Sequence, residues 1–117
     1  MKSALFLLNT APYDGERVYN GLRLALQLPK REDVEVRIFL QSEAVYAALP
    51  DQNPPHLKYR IDDMLKTLVE GGADVRLCGV CMDARALKDG MVIPDVKRST
   101  MVELADWVLS SDKVLVF

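Results

Sequence analysis

Two cysteines three residues apart, Cys78-Gly79-Val80-Cys81, are the residues of this chain best suited to do chemistry. Cys78 closes a short strand read over Asp74–Cys78, and Cys81 falls in the first turn of the helix expected over Val80–Leu87. A helix start offers backbone N–H groups without partners and the positive end of the helix dipole. A thiol of ordinary pKa ~8.5 is only a few per cent thiolate at neutral pH, and such a setting can lower the value into the ~3.5–7.5 range. Each unit is worth about 1.4 kcal/mol in favour of the anion. Arg85, four residues after Cys81, adds cationic help, and Asp83 opposes it. Gly79 permits close backbone approach, so its N–H is expected to face a sulfur anion. The plainer reading keeps both cysteines as core, since free Cys is among the most buried residue types.

Three chemistries compete for this pair. A dithiol redox centre of the thioredoxin type follows an early strand, whereas this pair comes late. A structural zinc site needs four ligands. The chain adds only His56 to the two cysteines, so zinc would need carboxylates or a second chain. A persulfide carrier needs one activated, exposed thiolate, with Cys81 optional. No cofactor and no metal are expected.

The remaining candidates sit where the elements place them. In open α/β sheets ligands bind beyond the carboxyl ends of the strands. Here those ends are Asn9-Thr10-Ala11-Pro12-Tyr13, Gln41-Ser42-Glu43 and the cysteine pair, and the first and third are candidates to converge. Asn9, Tyr13, Gly79 and Arg85 are therefore the candidate binding residues. The first loop lacks both G-x-G-x-x-G and a Walker lysine, which argues against a nucleotide. Glu16 reads as dipole compensation, Trp107 as core or subunit interface, and Lys97-Arg98 and His56 as solvated.

The elements follow from apolar spacing. Ala4–Leu8 is a continuous apolar run, as expected of a strand covered on both faces. Val18, Leu22, Ala25 and Leu26 form a helical stripe, with Asp14 as candidate N-cap and Pro29 as terminator. Val34–Leu40 is the second strand, and Ser42 is a candidate cap for a short helix to Ala48. Three prolines among residues 50–55 enforce a loop. Ile61, Met64, Leu65, Leu68 and Val69 mark a long helix, with Asp62, Lys66 and Glu70 on its wet side and Gly71-Gly72 beyond it. Met91–Ile93 is at most a short strand. Thr100 and Glu103 have capping-box spacing ahead of the stripe Met101, Leu104, Ala105, Val108 and Leu109, and Lys113–Phe117 is the last strand. Such alternation predicts an α/β fold: a three-layer α/β/α sandwich around a mainly parallel sheet of about five strands, in a single domain over residues 1–117.

Composition narrows the functions. With 117 residues, the chain is sized for one domain with its own core. Its 15 basic and 17 acidic residues leave a net charge of −2, which argues against a nucleic-acid partner. No apolar run approaches the ~20 residues of a membrane span. The apolar start is too short for a signal peptide and lacks a cleavage site, so the cytoplasm is expected, where cysteines stay reduced.

Three segments together resemble the DsrE/DsrF-like family, and within it the small YchN-like members. They are Glu16–Ala25 after a strand and a Pro/Gly turn, Val75–Arg85 around the cysteine pair, and Met101–Leu109 followed by Asp112–Phe117. The resemblance spans nearly the whole chain. It implies a parallel sheet flanked by helices and homo-oligomers, commonly trimers or hexamers. In sulfur-relay members a cysteine at a strand end accepts sulfur as a persulfide and passes it to a partner protein, and Cys78 matches that cysteine. Cys81 is an extra that relay members need not have. Arg85 matches a common Arg, but those members tend to follow it with Gly where this chain has Ala86. The leading expectation is a sulfur carrier or sulfurtransferase using Cys78, with Cys81 able to resolve the persulfide and with donor or acceptor proteins as partners. The alternatives are a thiol–disulfide redox or redox-sensing protein and a non-catalytic oligomeric binding or scaffold protein.

Overall fold

The apolar run Ala4–Leu8 and the strand read over Val34–Leu40 become neighbours in the interior of the sheet. The computed structural model describes residues 1–54 and 59–117; His56 lies outside the described residues. In chain order the elements are β1 (Lys2–Leu8), α1 (Arg17–Gln27), β2 (Val34–Leu40), α2 (Ile61–Glu70), β3 (Asp74–Cys78), α3 (Gly79–Ala84), β4 (Lys97–Ser99), α4 (Met101–Ser110) and β5 (Lys113–Val116). The strands lie in the order β4-β3-β2-β1-β5, and every neighbouring pair is parallel. The result is the expected five-stranded parallel α/β sheet.

Right-handed crossovers dictate where the helices go. Steps from β1 to β2 and from β2 to β3 march one way across the sheet and place α1 and α2 on the same face. The long step from β4 back to β5 runs the other way, so α4 lies on the opposite face. Side-chain alternation matches. Phe6 aligns with Ile38, which aligns with Val75, and these pack with Val18, Leu22, Ile61 and Leu65 in the main core. Leu5, Phe39 and Cys78 point the other way and meet only Leu104 and Trp107 of α4 among buried residues. Beside them Arg76 lies over the Trp107 ring at 4.1 Å and Arg37 at 5.8 Å.

Several local expectations are corrected. Glu16, not Asp14, occupies the N-cap position of α1, without a side-chain bond. Ser42 does not cap: it takes a left-handed backbone (φ 54°) and opens a 3-10 segment, Ser42–Ala48, whose N-cap is Gln41. Met91–Ile93 is no strand. Met91 ends a 3-10 turn, Ile93 is buried with its N–H on the Ala48 carbonyl at 2.9 Å, and the fourth strand is Lys97–Ser99. Asp62 is not on the wet side of α2; it is fully buried, paired with Arg60, and its own N–H donates to Gln52 Oε1 at 3.2 Å. The helix after Cys78 stops at Ala84, because Ala86 turns left-handed (φ 57°) and the Leu87 and Ala86 N–H groups cap back onto Met82 and Asp83. Thr100 caps α4 as expected, accepting the Glu103 N–H at 3.2 Å.

Candidate functional site

Cys78 is the last residue of β3 and stands in register with Ser99, the last residue of β4. From β3 the chain runs over the main-core face, where Met82, Leu87 and Ile93 are buried; from β4 it runs over the opposite face through α4. The carboxyl ends of β3 and β4 are thus where successive connections part to opposite sides. Open α/β sheets place ligand crevices at such switch points.

The turn from β3 into α3 sets the two sulfurs. Cys78 is the N-cap residue of α3, and its Sγ accepts the Cys81 N–H at 3.4 Å. Only 6% of Cys78 is exposed, whereas Cys81 is half-buried; both are free thiols. Burial pushes the Cys78 thiol above its ordinary pKa, and contact with the Cys81 thiol adds to the rise; the N–H groups of Cys81 and Val80 pull it down without prevailing. The strand-end thiol is therefore raised rather than lowered. A six-residue helix aligns few peptide dipoles, and sealing a sulfur in hydrocarbon penalises its anion. The N–H group at hydrogen-bond distance from the Cys78 sulfur is that of Cys81.

Neighbouring elements close in on the pair. At the end of β2 the Ser42 N–H points to Cys81 Sγ at 3.2 Å. Arg85 donates to the Cys81 carbonyl at 3.1 Å and to Glu43 at 3.0 Å, which ties α3 to the same β2 end. That ion pair holds the Glu43 carboxyl below its usual range. On the other side Arg98 forks onto Asp83 at 3.0 and 2.6 Å. The opposing charge of Asp83 is thereby matched, and its pKa is lowered by the Arg98 hydrogen bond. Arg98 reaches Asp83 across Gly79: a Cβ there would stand 2.8 Å from Arg98 Nε. Gly79 is needed for this crossing, which differs from the expected role of its N–H.

Of the sequence-predicted residues, the structure brings together Cys78, Gly79, Cys81 and Arg85. It places Asn9 and Tyr13 elsewhere, because β2 lies between β1 and β3. Asn9 is bonded to the Phe117 carbonyl and to Gln41, and the Tyr13 hydroxyl accepts the Ile61 N–H at 3.0 Å while donating to Gln52. The second and third strand ends converge, not the first and third. Sequence reasoning missed Arg98, whose only signal is the glycine it crosses, and the Ser42 donor, which is a backbone group. Among the described residues no three metal-ligating side chains converge, and no helix is long and apolar enough to cross a membrane.

A five-stranded parallel sheet flanked by helices places the chain among the small α/β proteins. A profile of the DsrE/DsrF-like family matches residues 2–117, and the chain belongs to that family. It is 42% identical to Protein YchN of Escherichia coli over 118 residues, covering 100% of both chains. It is 40% identical to the uncharacterised protein MJ0989 of Methanocaldococcus jannaschii over 111 residues, 95% of this chain and 96% of that one. The crystal structure of the E. coli ychN protein superposes with a TM-score of 0.93 at 42% identity, covering 100% of each chain. A protein of unknown function from Methanobacterium thermoautotrophicum, MTH1491, shares the fold with a TM-score of 0.77 at 12% identity over 97% of each chain.

Proposed function

We propose that this protein is a sulfur carrier of the sulfurtransferase type in which Cys78 holds sulfur as a persulfide. The observation that carries the reading is the position of Cys78, a reduced thiol at the carboxyl end of β3 beside the Ser99 end of β4, where the chain's connections diverge. Two arginines, Arg85 and Arg98, are anchored by Glu43 and Asp83 on either side of the pair. The burial that penalises a Cys78 thiolate weighs less on a persulfide, because the charge then sits on the outer sulfur. Val80, 78% exposed, presents an apolar contact beside the thiols for an approaching donor or acceptor protein.

Incubation with a low-molecular-weight persulfide, followed by intact-protein mass spectrometry, tests the reading. A gain of one sulfur that disappears in Cys78→Ser supports it. No gain in the wild type, or an equal gain in Cys78→Ser, overturns it.

A second reading, an oligomeric binding or scaffold protein without turnover, is favoured by the upward shift of the Cys78 thiol. It predicts that Cys78→Ser leaves function intact. Either reading includes a homo-oligomer, a trimer or hexamer. The α4 residues Met101, Val102 and Leu109 are 61%, 73% and 86% exposed, and Val116 on edge strand β5 is 64% exposed. Light scattering at micromolar concentration reads the state directly, and a monomer there contradicts it.

A further inference from the structure

We infer that Cys81 is the resolving thiol of this site, oriented by the Ser42 N–H, so that the loaded protein discharges inorganic sulfide and closes to a Cys78–Cys81 disulfide. The inference rests on the carrier reading and deepens it by naming the product and the class of reaction that must follow.

Three placements support it. The sulfurs are set by one tight turn, in which the backbone N–H of Cys81 already bonds Cys78 Sγ at 3.4 Å and the Cys81 thiol touches the Cys78 side chain. Cys81 Sγ has a donor from a different element, the Ser42 N–H at 3.2 Å. That donor fixes where the Cys81 sulfur points. Ser42 holds a left-handed backbone at φ 54°, a conformation costly for a residue with a Cβ, at the turn that presents this N–H. Finally, Arg85 bridges the Cys81 carbonyl and Glu43, stapling the thiol-bearing turn to the segment that carries Ser42.

The step balances. The Cys81 thiolate attacks the inner sulfur of the Cys78 persulfide. A bond forms between Cys81 Sγ and Cys78 Sγ, and the bond from Cys78 Sγ to the outer sulfur breaks. The outer sulfur leaves with the electron pair as hydrosulfide, which the proton lost by Cys81 makes up to hydrogen sulfide. The sulfane sulfur is reduced by two electrons, and the two cysteines together are oxidised by two. A dithiol reductant then returns the pair to two thiols and is itself oxidised to a disulfide, so the reaction that consumes the spent protein is thiol–disulfide exchange.

The experiment loads wild type, Cys81→Ser and Cys81→Ala with glutathione persulfide, removes the donor by desalting, and follows protein mass and free sulfide together. Wild type is expected to lose the added sulfur, become lighter than the starting protein by two hydrogens, and release sulfide in step with the disulfide formed. Both Cys81 variants are expected to keep the added sulfur at least about tenfold longer. If wild type and the Cys81 variants load equally and lose sulfur at equal rates, the resolving role fails while the carrier reading stands. If none of them loads, both fail.

Discussion

The two faces of the sheet are built to different standards. One carries α1, α2 and α3 over a large continuous core in which Phe6, Ile38, Leu65 and Leu77 are fully sealed. Among the described residues the other is covered by α4 alone, which buries Leu104 and Trp107 against Leu5, Phe39 and Cys78. Arg37 and Arg76 fill the space beside Trp107 with guanidinium planes rather than hydrocarbon. The difference teaches that the two faces are packed unequally around one sheet. The thick face carries the larger core, and the thin face carries Cys78 and leaves apolar residues of α4 exposed.

Paired core truncations probe that division most strongly. Leu65→Ala on the thick face is expected to cost about 4 kcal/mol and Leu104→Ala on the thin face about 2 kcal/mol, because a sparse layer relaxes around a cavity. Urea denaturation of the two variants checks this; equal losses would erase the distinction. Against a typical total of roughly 5–15 kcal/mol, the first variant is expected to be marginal.

The faces should also fail at opposite ends of the pH scale. Asp62 on the thick face is penalised by burial, yet the Arg60 hydrogen bond and charge, the Gln52 backbone and Lys66 hold its carboxyl below the usual range. Its folded pKa is depressed, so its contribution is present above the unfolded value of about 4 and is lost as pH falls through the folded one. Cys78 on the thin face is shifted up. The unfolded chain therefore gives up that proton first, and stability declines as pH rises past about 8.5. Denaturation midpoints across pH should show the acid limb flattened in Asp62→Asn and the alkaline limb flattened in Cys78→Ser. A Cys78→Ser profile identical to wild type would show that the thin face does not penalise its thiolate.

Smaller effects sharpen the boundary between the faces. Removing the α4 cap with Thr100→Ala is expected to cost about 1 kcal/mol. Ala86→Gly should stabilise by about 0.5–1 kcal/mol, because Ala86 occupies a left-handed helix terminus where a Cβ is strained. Thermal melts resolve both, and a destabilised Ala86→Gly would show that the Ala86 methyl contributes more than its backbone costs.

Much of this architecture is legible in the chain. β1 reads directly because Ala4–Leu8 is a continuous apolar run, β2 because Val34–Leu40 alternates and then ends in the buried run Ile38-Phe39-Leu40, and β3 because Val75 and Leu77 are buried on alternate positions. The fourth strand does not. It is a three-residue edge element of which Lys97 and Arg98 are exposed charges, so it has no apolar pattern, while Ile93 imitates one by burying itself in a loop. Asp62 is misread because i,i+4 spacing to Lys66 looks solvated until the Gln52 loop closes over it. At the site, Cys78, Gly79, Cys81 and Arg85 stand out in the sequence because one short segment supplies them all. The partners from other elements do not, since strand order decides that β2 and not β1 lies beside β3. Ala86 itself is not legible as a helix end in the sequence, because only its positive φ marks it as one.

The step from β4 back to β5 has a kinetic consequence. β5 pairs with β1, so the Ser3 hydroxyl meets the Asp112 carboxylate across a separation of 109 residues. Closing so long a circuit is entropically slow, and refolding is expected to lag behind that of proteins whose contacts are mostly local. Until it closes, the Leu5–Leu7 side of β1 is a bare parallel edge, and crowding at that stage invites strands from other copies to add to it.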